Sequence, residues 1–146
     1  MGGREAPERK ILSTVLARYR DLSNYEYFTT AVRIRKEVTA LVTSPSLPKA
    51  NRFVFSVPMA ETARSIVYNL VTANAFYPNT EHNVCQRRHY MTLAVADCEQ
   101  IIQDLQCLID LGIVKASRCE QIAEDVETAI KLIKGARKGV KLIGQR

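Results

Sequence analysis

The residues best equipped for chemistry in this chain are His82, Cys85 and His89. Separations of three and four place all three on one face of a helix, and imidazole and thiolate are donors that zinc prefers. One zinc is nevertheless a poor fit. The outer pair lies about two turns apart, roughly 10 Å along a helix axis, against ligand bonds of about 2 Å. The chain has only these two histidines, and spacing gives no serine or cysteine a histidine base with an orienting carboxylate. It also lacks the G-x-G-x-x-G, G-x-x-x-x-G-K-[ST] and paired-aspartate signatures of nucleotide and phosphoryl-transfer sites. The expectation is a protein that is not an enzyme, with no catalytic residue, no cofactor and no metal.

Positive charge is the more informative chemistry. The formal charge is +6 and the pI about 9.3, which favours attraction to phosphate polyanions. The excess is uneven: Lys131, Lys134, Arg137, Lys138, Lys141 and Arg146 follow one another with no acidic residue between Lys131 and the C-terminus. Lysines at a helix C-terminus complement the helix dipole, but six cations exceed what that compensation needs, so phosphate contact is an equal reading. Arg87-Arg88 falls in the first turns of a helix, where the dipole disfavours cations, and points to an interhelical salt bridge or, less strongly, an anionic partner. Tyr25, Tyr27 and Phe28 could stack on bases beside Arg33 and Arg35, but their helical spacing argues for core.

The elements that must carry these residues read as helices throughout. Residues 1–7 are Gly, Pro and charge without periodicity, and Ile11, Val15 and Tyr19 give weak helical spacing over Glu8 to Arg20. Ser23-Asn24-Tyr25-Glu26 fits a capping box, followed by the stripe Tyr27, Ala31, Ile34, Val38, Leu41 and a stop at Ser44-Pro45. The long connection SPSLPKANRFVFSV has a Phe53-Val54-Phe55 alternation that suggests a short extended piece. Pro58 then suits a first helical turn, with Met59, Ala63, Ile66, Leu70 and Ala73 on one face up to about Tyr77-Pro78.

Asn79 or Thr80 can cap a third helix, whose stripe Val84, Met91, Ala94, Cys98, Ile101, Leu105, Leu108 is the clearest in the chain. Gly112 closes it, and Ser117-Arg118-Cys119-Glu120 offers a capping box for a fourth, with Cys119, Ile122, Val126, Ala129 and Ile133 inward. Cys85, Cys98, Cys107 and Cys119 sit in helix-patterned sequence and read as small buried hydrophobes without a disulfide.

At 146 residues and 47% hydrophobic composition, one core without staples suffices. The fold class expected is all-α, an antiparallel up-down four-helix bundle with a short N-terminal helical extension. Residues 1–22 form an arm with a short helix, 23–138 the bundle and 139–146 a basic tail. No apolar run approaches the roughly 18 to 20 residues of a membrane span, and MGGREAPERK lacks the apolar stretch of a signal peptide, so a cytoplasmic protein is expected.

One further pattern is familiar. Leu47-Pro48-Lys49, Arg52-Phe53, a helix closing on Ala73-Asn74, Arg87-Arg88, and Ile130-Lys131-Leu132-Ile133-Lys134-Gly135 before Arg137-Lys138 occur in this order. Over residues 23–138 the chain resembles the accessory variability determinant (Avd) proteins of diversity-generating retroelements, a family similar to the four-helix-bundle proteins of ribosomal RNA intervening sequences. Ala136 departs from that pattern, which usually places tryptophan after the final glycine.

The resemblance implies a homopentameric, barrel-like accessory protein that binds the element's reverse transcriptase and its template RNA, possibly DNA too, in support of mutagenic cDNA synthesis. Carried over by position, the nucleic-acid-binding candidates are Lys49, Arg52, Arg87, Arg88, Lys131, Lys134, Arg137 and Lys138; Lys141 and Arg146 join them on charge alone. The competing expectation is a protein-interaction bundle of unknown partner, its charges serving solubility and its interface apolar.

Overall fold

The computed structural model of the chain describes residues 15 to 144. Five α-helices fill them: α1 (Ala17–Leu22), α2 (Glu26–Val42), α3 (Val57–Ala75), α4 (Glu81–Asp110) and α5 (Ala116–Lys138). Among the described residues there is no strand. The start of the expected N-terminal helix, including Ile11, lies outside the described residues, as does Arg146.

Each long helix buries the stripe that its sequence sets out, save for the half-buried Tyr27 and Val84 that begin two of them, because apolar residues at steps of three and four line one side of a 3.6-residue repeat. Ile34, Ile66, Ile101 and Ile133, one from each long helix, are fully buried. Removing one such side chain from water is worth about 1.5–3 kcal/mol. α2 packs on α3 and α5, and α4 on α3 and α5, so the four close a ring of neighbours. α3 and α4 run in opposite senses, since Asn74 meets Arg87 while Asn69 meets Asp97. α1 is a minor element that leans on this core through Leu22 and through Tyr19, whose ring meets the Phe28 ring edge-on at 5.7 Å.

The helix ends depart from the sequence reading in instructive ways. The two capping boxes do not form: α2 starts at Glu26 behind Tyr25, and α5 at Ala116 behind Lys115, neither with a side-chain cap. Ser23 instead donates its hydroxyl to the Arg20 carbonyl, serving the end of α1 rather than the start of α2. Ser117 lies already inside α5. Thr80 does cap α4, accepting from the Asn83 amide. Gly112, at φ +72°, closes α4: its amide and that of Ile113 donate to the Ile109 and Leu108 carbonyls.

Residues 53–55 are not extended. Lys49–Asn51 form a 3-10 turn and Arg52–Ser56 a π-helical turn that runs straight into α3. Pro58, second in α3, has no amide hydrogen to give to the Val54 carbonyl, so the α-ladder cannot continue backwards through it, and the Val57 amide reaches Arg52 instead. In this tight coil only Phe55 turns inward; Phe53 is 82% exposed, where a strand would have put both rings on one face.

The cysteines also divide. Cys98 and Cys119 are buried, and burial pushes the Cys98 thiol up to about 12. Cys85 and Cys107 are exposed, contrary to expectation, because both lie off the inward stripe of α4. All four are free thiols.

Candidate nucleic-acid interface

The candidate cations come from three stretches of chain, of which the fold keeps the first apart and brings the other two together. Lys49 and Arg52 sit in the connection leading into α3; Arg87 and Arg88 lie just past its other end. With 19 residues in α3, the two places are separated by roughly 28 Å. Lys131, Lys134, Arg137 and Lys138 belong to the last turns of α5, and Lys141 follows.

Among the described residues Arg87 and Arg88 form no salt bridge, the contact favoured from sequence. Arg87 donates to the Phe76 carbonyl at 3.1 Å and to Asn74 Oδ1 at 3.4 Å, both at the C-terminus of α3. Four carbonyls at a helix end have no partner within the helix, and a guanidinium there satisfies one of them and complements the dipole. Arg88 donates to the Val140 carbonyl, which fastens the segment after α5 to α4. Val140 is buried and the Ile143 amide bonds the Pro78 carbonyl at 2.8 Å, so this part of the basic tail is docked rather than free. Arg137 donates to Thr92 Oγ1 at 3.0 Å across the same seam. Arg87 also faces Tyr27, whose phenol is pushed up by burial and partly held back by that guanidinium.

The lysines behave differently. Lys131, Lys134 and Lys138 are all exposed, and their spacing continues a stripe begun by the exposed Glu120, Glu124 and Glu127. One face of α5 therefore changes sign along its length, acidic toward the positive end of the helix dipole and basic toward the negative end. The arrangement stabilises α5 by itself, yet it also gathers three strongly hydrated cations on one accessible face.

Lys49 and Arg52 line an apolar groove of about 540 Å³ floored by Val42, Leu47 and Val57. Beside it Phe53 and Val54 are exposed, an apolar patch that the sequence reading missed because the alternation suggested a strand. Tyr25 is likewise at the surface, stacked on the half-buried Tyr27 at 5.3 Å, whereas Phe28 is core.

A further set of charges joins α2 to α5. Arg33 Nε lies 3.3 Å from Asp125 Oδ2, and the buried Asp125 also accepts from Gln121. Glu37 stands against the same carboxylate; burial first, and then Asp125, push its carboxyl up to about 7. A protonated Glu37 can donate to Asp125, which accounts for two carboxyl oxygens, Glu37 Oε1 and Asp125 Oδ2, buried there without another hydrogen-bond partner.

His82 and His89 go to separate aromatic neighbours, the rings of Phe76 and Tyr90. Among the described residues no three His, Cys, Asp or Glu side chains gather as a metal site would require. No helix among the described residues is long and apolar enough to cross a membrane. No protein-family model matches the chain, and no curated protein matches it.

Proposed function

We propose that this protein is a non-catalytic, basic, oligomeric accessory factor of a diversity-generating retroelement, acting in the cytoplasm beside the element's reverse transcriptase and binding template RNA. In this reading the four long helices are an antiparallel up-down four-helix bundle, and α5 presents its basic face to the RNA backbone. The observation that carries it is the exposed row Lys131, Lys134, Lys138 on α5, in a stretch without acidic residues. The ordered motifs shared with the Avd family supply the retroelement context, and that resemblance implies a pentamer. An oligomer would repeat the basic face several times, so individually weak phosphate contacts would act together.

The test is binding of the purified protein to structured RNA at low and high salt, with mass by light scattering in the same samples. A discrete oligomer whose affinity falls steeply with salt is expected. The triple variant K131E/K134E/K138E should weaken binding by on the order of 100-fold, through three lost contacts and added repulsion. Salt-independent binding would sink the reading.

A second reading, a protein-interaction bundle, is favoured by the apolar groove and the exposed Phe53, Val54 and Val57 beside it. It predicts association through that corner with no measurable RNA affinity.

A further inference from the structure

Away from the three groups of cations above, the α2–α3 seam carries an arrangement that helix periodicity does not explain. Arg35 from α2 and Arg64 from α3 both reach over the ring of Tyr68, with guanidinium carbons 5.6 Å and 4.7 Å from its centroid. Arg64 and Tyr68 are four residues apart on one helix face; Arg35 arrives from the neighbouring helix. Neither arginine is paired with a carboxylate among the described residues. Arg33, two residues earlier and so on another face of α2, turns instead to Asp125 of α5.

Two guanidiniums drawn to one place repel each other. The ring face offsets part of that repulsion by attraction to its quadrupole, which suits cations at either position. What remains is a concentration of donors whose shared acceptor is a single phenol oxygen, that of Tyr68. Each guanidinium presents a planar fork suited to two oxygens of a phosphate, and the Tyr68 hydroxyl, whose oxygen accepts from Arg64 and Arg35, keeps its own O–H to donate. The same positive field holds the Tyr68 phenol below its usual value, the hydrogen bond to Arg64 contributing most. Tyr68 is 48% exposed and Arg64 is exposed, so a ligand can reach them from solvent. Next to the clamp, Arg35 and Lys36 line a shallow depression of about 550 Å³ with Val32, Thr39 and Ala40, and this extends the positive surface along α2.

We infer that Arg35, Arg64 and Tyr68 form a clamp for a phosphate group of a nucleic-acid backbone, a second contact surface distinct from the basic face of α5. The inference rests on the nucleic-acid reading for the source of the phosphate; the clamp's chemistry would equally accept free phosphate. A packing staple between α2 and α3 would need only Arg35 on the ring, since Arg64 and Tyr68 belong to the same helix.

The experiment titrates the full chain, followed by NMR at the Arg35 and Arg64 Nε–H and Tyr68 ring signals, with a short single-stranded RNA in one arm and inorganic phosphate in the other. Fluorescence anisotropy of the same labelled RNA is recorded against salt. RNA is expected to move all three sets of signals on one saturable curve at on the order of 1–100 μM in low salt. Phosphate alone should need roughly 100-fold more, lacking the neighbouring contacts. The variant R35Q/R64Q should reduce the slope of log affinity against log salt by about two, while R35K/R64K should keep the slope but bind more weakly, having charge without the fork.

RNA that binds by anisotropy while these signals stay still, and while R35Q/R64Q keeps the wild-type slope, overturns the clamp and leaves the α5 reading standing. Phosphate that saturates as tightly as RNA overturns the assignment to a nucleic-acid backbone. A chain that binds no RNA at low salt loses both. The wild-type titration is independent of whether either variant folds.

Discussion

The two ends of α3 hold cations in opposite circumstances. Past its C-terminus, Arg87 and Arg88 spend donors on the carbonyls of Phe76 and Val140 and on the Asn74 side chain, and so join three stretches of backbone. Before its N-terminus, Lys49 and Arg52 pair with nothing among the described residues and border an apolar groove. The lesson is that basic residues cannot be assigned to a ligand by type or by position in a motif. A guanidinium within reach of a helix C-terminus is drawn first to the carbonyls there, which have no other partner and carry the negative end of the dipole. A lysine in a turn has no such claim on it.

The comparison breaks most readily at Arg87. Arg87→Met keeps much of the packing volume but removes the charged donors, and it should destabilise the fold by about 2 kcal/mol, the range for hydrogen bonds to a charged group. Urea unfolding followed by circular dichroism measures it; a change under about 0.5 kcal/mol, as is usual for unremarkable surface positions, would place Arg87 with the free cations.

The other end should respond in the opposite sense. K49Q/R52Q is expected to leave stability within about 0.5 kcal/mol of wild type. If those side chains contact phosphate, the salt slope of RNA binding drops by up to about two. An unchanged slope would remove both residues from the interface and strengthen the view of this corner as a protein-docking surface.

The smallest effect sharpens the contrast at a third cation, Arg33, which serves the Asp125–Glu37 pair. Glu37 has a folded-state value near 7, above that of the unfolded chain, because burial and Asp125 disfavour its charge. The folded state therefore binds the proton more tightly. The resulting stabilisation is complete below the unfolded value, near 4.3, and is lost as pH rises through about 7. Stability should decline gently across that window, and Glu37→Gln should flatten the decline. Thermal melts at half-unit pH steps decide it; equal slopes in the two proteins would mean that Arg33 neutralises both carboxylates at once.

Helix content and the inward residues were legible because they depend on local periodicity. Of the stripe Val84, Met91, Ala94, Cys98, Ile101, Leu105, Leu108, all but the half-buried Val84 are buried, and Gly112 ends α4 as its position suggests. Capping was less legible. Ser23 and Ser117 each sit in a good box, but a hydroxyl can serve the helix behind it as well as the one ahead, and nothing in four residues says which. The reading of the 53–55 alternation failed for a related reason: three residues fit a strand or a tight coil equally, and Pro58 farther along settled the matter.

The candidate interface divides along the same line. Its basic character and the row Lys131, Lys134, Lys138 follow from spacing on one helix, and so belong to the sequence. The docking of Val140 against Arg88 does not, and neither does the burial of Asp125 beside Arg33 and Glu37. The meeting of Arg35 with Arg64 over Tyr68 is of the same kind. Each joins residues tens of positions apart on different helices. Periodicity fixes which face of a helix turns inward, but which polar groups meet at the seams depends on how far each helix slides along its neighbour, and packing across the whole core sets that register.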